Sequence, residues 1–383
     1  PDSGTDRKSS SFMKKRILFL LQLPPPTYGA AIVGQEIRDS KLINETFDAT
    51  YLNIVLTRDL NHPEPAFSRL ARYLSLFFKL LGILLTRRFD LCYLAITCHG
   101  VAFLKDSLFV LLCKLFCKRI VIHQHNKGMS SDADKPVFKT LFRLVYRNAK
   151  VILLSEHLYD DISAHVGKDQ ILICPNGSPS SINPGDIPVK KSVPPHLVFL
   201  SNLFFDKGII TFLNCCSILK KQGMRFSADI IGSETLECDR NLLQKEITAR
   251  DLSANVIYHG RQTGTERNRI LSAGNYFLFP TKNEAFPLVV LEAMQFQMLC
   301  LSTPVGGIMD LIEDGTTGFL CDPDDAAGFA NRILQMESDH ALRKKITENA
   351  RLQYLEKYTL EKFEENMCRC LNNAMDKSND RTK

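Results

Sequence analysis

Short apolar runs alternate along the chain with longer segments in which apolar and polar residues are mixed. The runs have strand length and are rich in Val, Ile, Leu and Phe, as is typical of parallel strands that helices cover on both faces. One set lies at Ile17–Leu23, Ala49–Val55, Leu91–Ile96, Ile120–Ile122, Val151–Leu154 and Ile171–Cys174. A second set lies at Leu197–Leu200, Asp229–Gly232, Val256–His259 and Tyr276–Phe279. Strands that alternate with helices in two successive sets predict an α/β protein of two doubly wound, Rossmann-like domains facing a cleft.

Polar stretches predict where these domains begin and end. Residues 1–12 are polar and Ser-rich and are expected to form a disordered tail, with Met13 as a candidate start of the natural chain. Residues 13–177 are predicted to form the first domain, and residues 178–195, rich in Ser, Pro, Gly and Lys, the linker. Residues 196–359 are predicted to form the second domain. Residues 360–383 are predicted to form a helix, Leu360–Met375, and a frayed tail.

Composition and charge exclude several classes of protein. The 383 residues are 45% hydrophobic and 23% charged, which is ordinary for a globular chain. The net charge of +6 is mild and no basic patch interleaved with aromatic residues occurs, so nucleic-acid binding is not expected. The 12 cysteines show no Cys-x-x-Cys spacing, which disfavours a zinc site and indicates a reducing cytoplasm.

The segment from Phe67 to Arg88 is both basic and apolar, with several Arg and Lys residues set among Leu and Phe. Its uninterrupted apolar stretches are far shorter than the roughly 20 residues that span a bilayer. Two interpretations stay open: a helix lying on the anionic inner face of the plasma membrane, or a buried helix whose cations reach water. The next apolar helix, Val101–Cys117, is predicted to belong to the core. We therefore expect a cytoplasmic protein, with peripheral membrane contact as one alternative.

The stretch Pro280–Gly307 carries the densest candidate chemistry. A polar turn containing Glu284 follows an apolar strand, and a helix is predicted to start at Pro287, a favoured first helical residue. Glu292 then lies on the second turn of that helix. The free backbone N–H groups of a helix start bind anions, so a phosphate there would lie near two carboxylates suited to sugar hydroxyls. An ordinary strand–loop–helix unit with a capping Glu and a solvated Glu is the alternative.

Glu284 lies in the segment Asn-Glu-Ala-Phe-Pro-Leu and Glu292 in Leu-Glu-Ala-Met, and Gly306-Gly307 follows them. This pattern resembles the Glu-x7-Glu signature of the retaining GT-B glycosyltransferases of glycosyltransferase family 4 (group 1). Pro175-Asn176-Gly177 is similar to the segment that ends the first domain in that family. The resemblance covers nearly all of the chain from Met13 to Met375. It implies a GT-B fold and a last helix that crosses back over the first domain.

The resemblance also implies an activity. It indicates retaining, metal-independent transfer of a sugar from a nucleoside-diphosphate sugar, with a UDP- or GDP-sugar favoured and no cofactor. The implied acceptor is a glycan or a lipid-linked molecule, in the assembly of a capsule or lipopolysaccharide. Two alternatives stay open: a GT-B nucleotide-sugar epimerase, and a non-catalytic protein that binds nucleotide sugars.

Roles for single residues follow from the resemblance. At the catalytic centre, Glu284 is expected on a hydroxyl of the donor sugar, His125 on the sugar from the opposite wall, and Lys207 on the diphosphate. The expected donor-binding residues hold the ribose, supply amide groups to the diphosphate, or border the nucleotide; they are Glu292, Ala285, Phe286, Leu288, Asn202, Gly232 and Arg261. Asn202 stands where the family usually has Arg, which leaves Lys207 as the main cation.

On the acceptor side, the resemblance points to Gly29 and Ala30, where the family usually carries a Gly-Gly pair. His123 is the second candidate, after His125, for the family's cleft-facing His. A structural or metal-binding pair of His residues is the alternative for both. The Asp132-Ala133-Asp134 segment is interpreted as a solvated loop, and no metal site is expected.

Overall fold

The apolar runs in the first half of the chain form one parallel sheet. The computed structural model describes residues 13–56, 65–182 and 194–376. In the described first half, the strands are β1 (Arg16–Leu21), β2 (Asp48–Asn53), β3 (Leu91–Ile96), β4 (Ile120–Gln124), β5 (Ala149–Leu153) and β6 (Ile171–Ile173). Their order in the sheet is β2-β1-β3-β4-β5-β6. Five of the six residues of β1 are buried, as expected for a strand covered on both faces.

The second half repeats the architecture. Its strands are β7 (His196–Leu200), β8 (Ser227–Ile231), β9 (Val256–Tyr258), β10 (Tyr276–Phe279), β11 (Leu299–Ser302) and β12 (Phe319–Leu320). All their pairings are parallel, in the order β12-β11-β10-β7-β8-β9. We call the units around the two sheets the first and the second domain.

Helices cross over between successive strands, as parallel pairing requires. In the described part of the first half these are α1 (Gly29–Asp39), α2 (Lys41–Thr46), α3 (Ala66–Thr86), α4 (Gly100–Phe116) and α5 (Pro136–Tyr146). The second half carries α6 (Ile209–Lys221), α7 (Arg240–Ala249), α8 (Gly264–Ala273), α9 (Leu288–Gln295), α10 (Ile308–Leu311), α11 (Ala326–Ser338), α12 (His340–Lys357) and α13 (Leu360–Met375). Side-chain caps fix the first residue of several helices, because a side-chain oxygen accepts a backbone N–H that would otherwise be unpaired. The carboxylate of Asp239 accepts the N–H of Leu242, and the hydroxyl of Thr359 accepts the N–H of Lys362.

Helix α13 packs on the first domain although it follows the second in sequence. Phe363, Met367 and Leu371 are buried in one apolar cluster with Phe19 of β1 and Tyr93 of β3. The two chain segments that pass between the domains lie side by side. The N–H of Ser178 donates to the carbonyl of Tyr358 at 3.0 Å, and Ser178 forms a parallel bridge with Thr359.

Three predicted segments fall wholly or largely outside the described residues. These are the tail at residues 1–12, most of the linker at residues 178–195, and the chain after Asp376. No helix in the described ranges is long and apolar enough to cross a membrane.

The sequence-based expectations for α4 and for Asp132, both in the first domain, need correction. Helix α4, expected in the core, buries Phe103, Phe109 and Val110 but exposes Val101 and other apolar residues. Asp132, expected in a solvated loop, is buried with 4% exposure.

The burial of Asp132 has a local cause. Its carboxylate accepts the N–H of Gly100 at 2.6 Å and pairs with Lys135 at 2.5 Å. These contacts hold the pKa of Asp132 below its usual range. The carboxylate thus anchors the start of α4, and it is satisfied within the fold.

Candidate active site

A cleft of about 810 Å³ opens at the carboxyl ends of the first sheet. Four of its lining residues, Gln22, Ile54, Thr97 and His125, each directly follow one of the strands β1 to β4. Parallel strands end at the same edge of a sheet, so these residues converge on one side of the fold. Glu284, in the loop after β10 of the second domain, lines the same cleft. The cleft therefore joins residues of both domains.

The loop that carries Glu284 is held by a close backbone approach. The N–H of Gly307 donates to the carbonyl of Ala285 at 2.7 Å, and a Cβ at Gly306 would lie 2.1 Å from the carbonyl oxygen of Glu284. Gly306 has φ +53°, a conformation that favours glycine. The Gly306-Gly307 turn expected from the sequence thus packs directly against the backbone of the Glu284 turn and fixes its conformation.

Helix α9 begins one residue later than the sequence predicted. Pro287 has an extended ψ of 116° and precedes the helix, which starts at Leu288. The N–H of Val290 donates to the Pro287 carbonyl at 3.3 Å, whereas within the described structure the N–H groups of Leu288 and Val289 have no such acceptor. Two donors at the positive end of the helix are therefore available to an anion.

Glu284 and Lys207 form an ion pair within this site. Lys207 Nζ lies 2.9 Å from Glu284 Oε2 and donates to the Asn283 carbonyl at 2.9 Å. The other carboxylate oxygen, Oε1, accepts the N–H of Ala285 at 3.0 Å. Both side chains are largely buried, so the pair is screened less than a surface pair.

Lys207 reaches Glu284 because its turn packs tightly on the end of β10. Gly208 directly follows Lys207, has φ +85°, and would place a Cβ 2.1 Å from the carbonyl oxygen of Pro280. Only glycine allows this approach without a shift of one of the two segments.

Glu292 has a partner that sequence reasoning missed. Arg267, on α8, lies with Nη1 3.1 Å from Glu292 Oε1. Glu292 Oε2 is buried and, within the described structure, accepts no hydrogen bond. Burial raises the pKa of Glu292, and Arg267 opposes that shift. The carboxylate is thus half satisfied, with one oxygen left for a ligand. No local spacing connects positions 267 and 292, so the sequence carried no signal for the pair.

His125 is partly exposed at the edge of the cleft, but both of its ring nitrogens are buried. Neither ring nitrogen has a hydrogen-bond partner among the described residues. Burial lowers the pKa of His125 to about 4, so the imidazole is neutral at pH 7 and can donate through one nitrogen and accept through the other. A sugar hydroxyl is the kind of group that could satisfy both.

His123 does not face the acceptor, contrary to the sequence-based expectation. It is fully buried, and its Nδ1 lies 2.5 Å from the hydroxyl of Tyr93 on the neighbouring strand. The physical reason is that His123 lies within β4, on the face that α13 covers, whereas His125 follows the end of the strand. Burial lowers the pKa of His123 well below its usual range. Its role is in the core of the first domain.

The remaining expected residues lie in three places. Gly29 and Ala30, at the start of α1, line the cleft. Asn202 and Gly232 lie together at the ends of β7 and β8: Asn202 Oδ1 accepts the N–H of Ser233 at 3.2 Å. A Cβ at Gly232 would lie 1.8 Å from the carbonyl oxygen of Ser201. Arg261 is exposed beyond β9, and the structure brings it to none of the carboxylates discussed above.

Comparisons with known proteins add to this geometry. Residues 186–353 match the family model described as glycosyl transferases group 1. The chain is 35% identical over 108 residues to N-acetyl-alpha-D-glucosaminyl L-malate synthase of Bacillus anthracis, covering 28% of each chain. It is 26% identical over 163 residues to the capsular polysaccharide biosynthesis glycosyltransferase CapM of Staphylococcus aureus, covering 42% of this chain and 41% of CapM. The chain thus spans less than half the length of either relative.

The fold has a close structural counterpart. HepE of Anabaena, solved in complex with UDP, superposes with a TM-score of 0.71 at 18% identity, covering 94% of this chain and 100% of HepE. The two parallel sheets therefore form the GT-B fold, which confirms the fold expected from the sequence. The segment matched by the family model contains Lys207, Arg267, Glu284 and Glu292, and none of the first-domain residues.

Proposed function

We propose that this chain, whose second domain belongs to the group 1 glycosyltransferases, transfers a sugar from a nucleoside-diphosphate sugar to a glycan or lipid-linked acceptor. A UDP- or GDP-sugar is the proposed donor, and HepE, whose fold this chain shares, was solved with UDP. A role in cell-surface polysaccharide assembly is supported by the similarity to CapM, a glycosyltransferase of capsular polysaccharide biosynthesis. The observation that carries the proposal is that Glu284 and His125, from different domains, line one cleft.

The proposed donor site is built by the second domain. The unpaired oxygen of Glu292 accepts hydrogen bonds from the ribose hydroxyls, while Arg267 holds the other oxygen. The N–H groups at the start of α9 bind the diphosphate, and Lys207 adds a positive charge beside them. Pro287 has no N–H, and the N–H of Ala285 already donates to Glu284 Oε1. Of the two further amide groups that the sequence suggested, Ala285 and Phe286, the proposed contact to the diphosphate is therefore that of Phe286.

The proposed transfer retains the anomeric configuration. Glu284 accepts a hydrogen bond from a hydroxyl of the donor sugar, and His125 contacts the sugar from the first domain. Negative charge that builds up on the leaving diphosphate is stabilised by Lys207 and the amide groups, without a metal ion. The acceptor attacks from the same face as the leaving group, through an oxocarbenium-like state. Closure of the two domains keeps water from the donor.

Calorimetric titration with UDP, GDP, ADP, CMP and dTDP tests the donor site, on the wild type and on Glu292→Ala, with and without magnesium. We expect one nucleotide to bind without magnesium and Glu292→Ala to weaken it at least tenfold, since charged hydrogen bonds contribute about 1.5–3 kcal/mol. Glu266→Ala is the matched control, because Glu266 is exposed and pairs with Arg269 on the surface. If none of the five nucleotides binds, the proposed donor site is wrong.

A second assay separates transfer from the alternatives. Incubating the donor alone and following its anomeric proton by NMR reports interconversion of the sugar, which a transferase does not catalyse. Adding a cell-envelope extract as acceptor reports transfer and the configuration of the new bond. His125→Ala is expected to keep nucleotide binding and to lower the transfer rate by two orders of magnitude or more, on the order of a lost catalytic contact. An unchanged rate contradicts the role of His125.

A further inference from the structure

Helix α3 exposes an apolar stripe to solvent. The exposed side chains follow one another at spacings of three, four and seven residues, which places them on one side of a helix. Their exposed fractions run from 45% to 82%, for Phe67, Leu70, Leu74, Phe78 and Leu85. Soluble proteins rarely leave such contiguous apolar stripes open unless they bind a partner.

Helix α4, which packs beside α3, adds a second stripe. Val101, Leu108 and Leu115 are seven residues apart and are 81%, 48% and 79% exposed. A groove of about 540 Å³ lies along α4, with Phe77 of α3 on one side and Leu144 of α5 on the other. We call the two stripes together the α3–α4 face.

Basic residues far outnumber acidic ones in the helices that form and border the α3–α4 face. Helices α3, α4 and α5 contain one acidic residue, Asp106, which is buried and lies 3.0 Å from Lys105. The basic residues of the same three helices are Arg69, Arg72, Lys79, Lys105, Lys114, Lys139 and Arg143. More cations follow α3 and α4 directly, at Arg87, Arg88, Lys118 and Arg119.

This charge pattern decides between partners. A second copy of the chain would bring the same cations against these and repel. A nucleic acid would pair with the cations but leave the apolar stripes, which are mostly Leu and Val, largely without a partner. An anionic lipid layer offers phosphates for the cations and an apolar interior for the stripe.

We propose that the α3–α4 face binds an anionic lipid bilayer, with the apolar stripes entering the interface and the cations pairing with lipid phosphates. The interdomain cleft and the α3–α4 face have residues in common. Leu70 and Val101 belong to the apolar stripes and also line the cleft, as do the cations Arg69 and Lys105. The acceptor is therefore an amphiphile held in the same lipid layer, a step that rests on the proposed glycosyl transfer.

Flotation with phosphatidylcholine vesicles, with and without phosphatidylglycerol, tests the bilayer contact at low and high salt. We expect the full chain to float with the anionic vesicles at low salt, and to float much less with the neutral ones. The double variant Leu74→Glu, Phe78→Glu is expected to lose at least tenfold in binding. The matched control is Leu236→Glu, Leu352→Glu, since both leucines are exposed in the second domain. Equal flotation of the two double variants, or none by the wild type, overturns the proposal.

The charges have their own test. Lys79→Gln, Arg88→Gln is expected to weaken binding to anionic vesicles by roughly fivefold per cation. Lys221→Gln, Lys245→Gln removes the same charge from exposed positions in the second domain and is expected to change little. A larger loss in the control pair than in the test pair contradicts the assignment of the surface.

Two further measurements keep this proposal separate from the others. Nucleotide titration of the same variants shows whether the donor site is intact; a wild type that floats but binds no nucleotide would overturn the proposed function alone. Sedimentation of the wild type and of Leu74→Glu, Phe78→Glu reports self-association. A wild-type dimer that this variant dissociates would show that the face binds a second copy, and would overturn the bilayer contact.

Discussion

Arg267 should control how well Glu292 binds a ribose. Without Arg267, the buried Glu292 loses its only counter-ion among the described contacts, and its already raised pKa rises further. A higher pKa leaves less carboxylate at low pH, so nucleotide binding by Arg267→Gln should be about tenfold weaker at pH 7 and weaker still at pH 6. Calorimetry at pH 6, 7 and 8 measures both effects.

Arg269→Gln is the control for this prediction. Arg269 lies on the same helix and pairs at 2.7 Å with Glu266 on the exposed surface. Its removal should leave nucleotide affinity unchanged at all three pH values. If Arg267→Gln weakens binding equally at every pH, Arg267 acts on the nucleotide by another route than through the ionisation of Glu292.

Burial of His125 should make the fold sensitive to acid. Its pKa is lowered from 6.5 to about 4, so between these values the unfolded chain binds a proton that the folded chain does not. The free energy of unfolding therefore falls as pH drops from 6.5 to 4, by on the order of 3 kcal/mol for this one group. Urea unfolding at a series of pH values should give a shallower pH dependence for His125→Gln than for the wild type.

The control is His340→Gln, since His340 is exposed at the start of α12. His123 is also buried with a lowered pKa and remains in both variants, so part of the acid sensitivity persists. A pH dependence of His125→Gln that matches the wild type and His340→Gln would show that His125 is not neutral in the folded state.

Individual site residues differed in how well the sequence predicted them. Glu284 and Glu292 are close in sequence, so a local motif identified both. Arg267 belongs to another helix, and only the tertiary fold brings it to Glu292. His123 was misplaced because the strand boundary at Gln124 decides which His leaves the sheet, and boundaries of strands are poorly encoded locally.

At the scale of elements, Gly208 should be essential to the turn that carries Lys207. An alanine at this position would have to adopt a left-handed φ of +85°, and its Cβ would lie 2.1 Å from the Pro280 carbonyl oxygen. Gly223 has a similar φ of +79° with no atom within 4 Å, so Gly223→Ala suffers only the backbone strain. We expect Gly208→Ala to destabilise the fold by about 2 kcal/mol more than Gly223→Ala, measured by urea unfolding. Equal losses would show that the turn can move away from β10.

Many elements follow from the apolar pattern. The strands at Leu91–Ile96 and Tyr276–Phe279 and the helix at Leu360–Met375 have the predicted bounds. The start of α9 differed by one residue, because proline fixes φ but leaves ψ free, and the ψ of Pro287 is extended. The exposure of α4 was missed because a mostly apolar helix gives no periodic signal for the side that faces water.

At the scale of the whole molecule, α13 should stabilise the first domain. Phe363 is 2% exposed and belongs to the cluster that contains strands β1 and β3. Phe363→Ala should lower the free energy of unfolding by about 3–5 kcal/mol through the cavity it leaves. Hydrogen exchange should speed up mainly in β1 and α2, while nucleotide binding by the second domain persists.

Lys362→Ala, at an exposed neighbouring position, is the control for that prediction. Faster exchange in the strands of the second domain instead of the first would show that α13 stabilises the other half of the molecule.

The position of α13 also bears on the order in which the two domains mature during synthesis. The ribosome completes β1 to β6 long before residues 360–375. The part of the first sheet's apolar face that α13 covers, beside α1 and α2, therefore stays open while the second domain is translated. The second domain, whose strands and helices up to α12 are contiguous in sequence, can close its own core sooner. The domain made first is thus the last to finish folding, and a nascent chain halted before α13 exposes an apolar sheet face to chaperones and proteases.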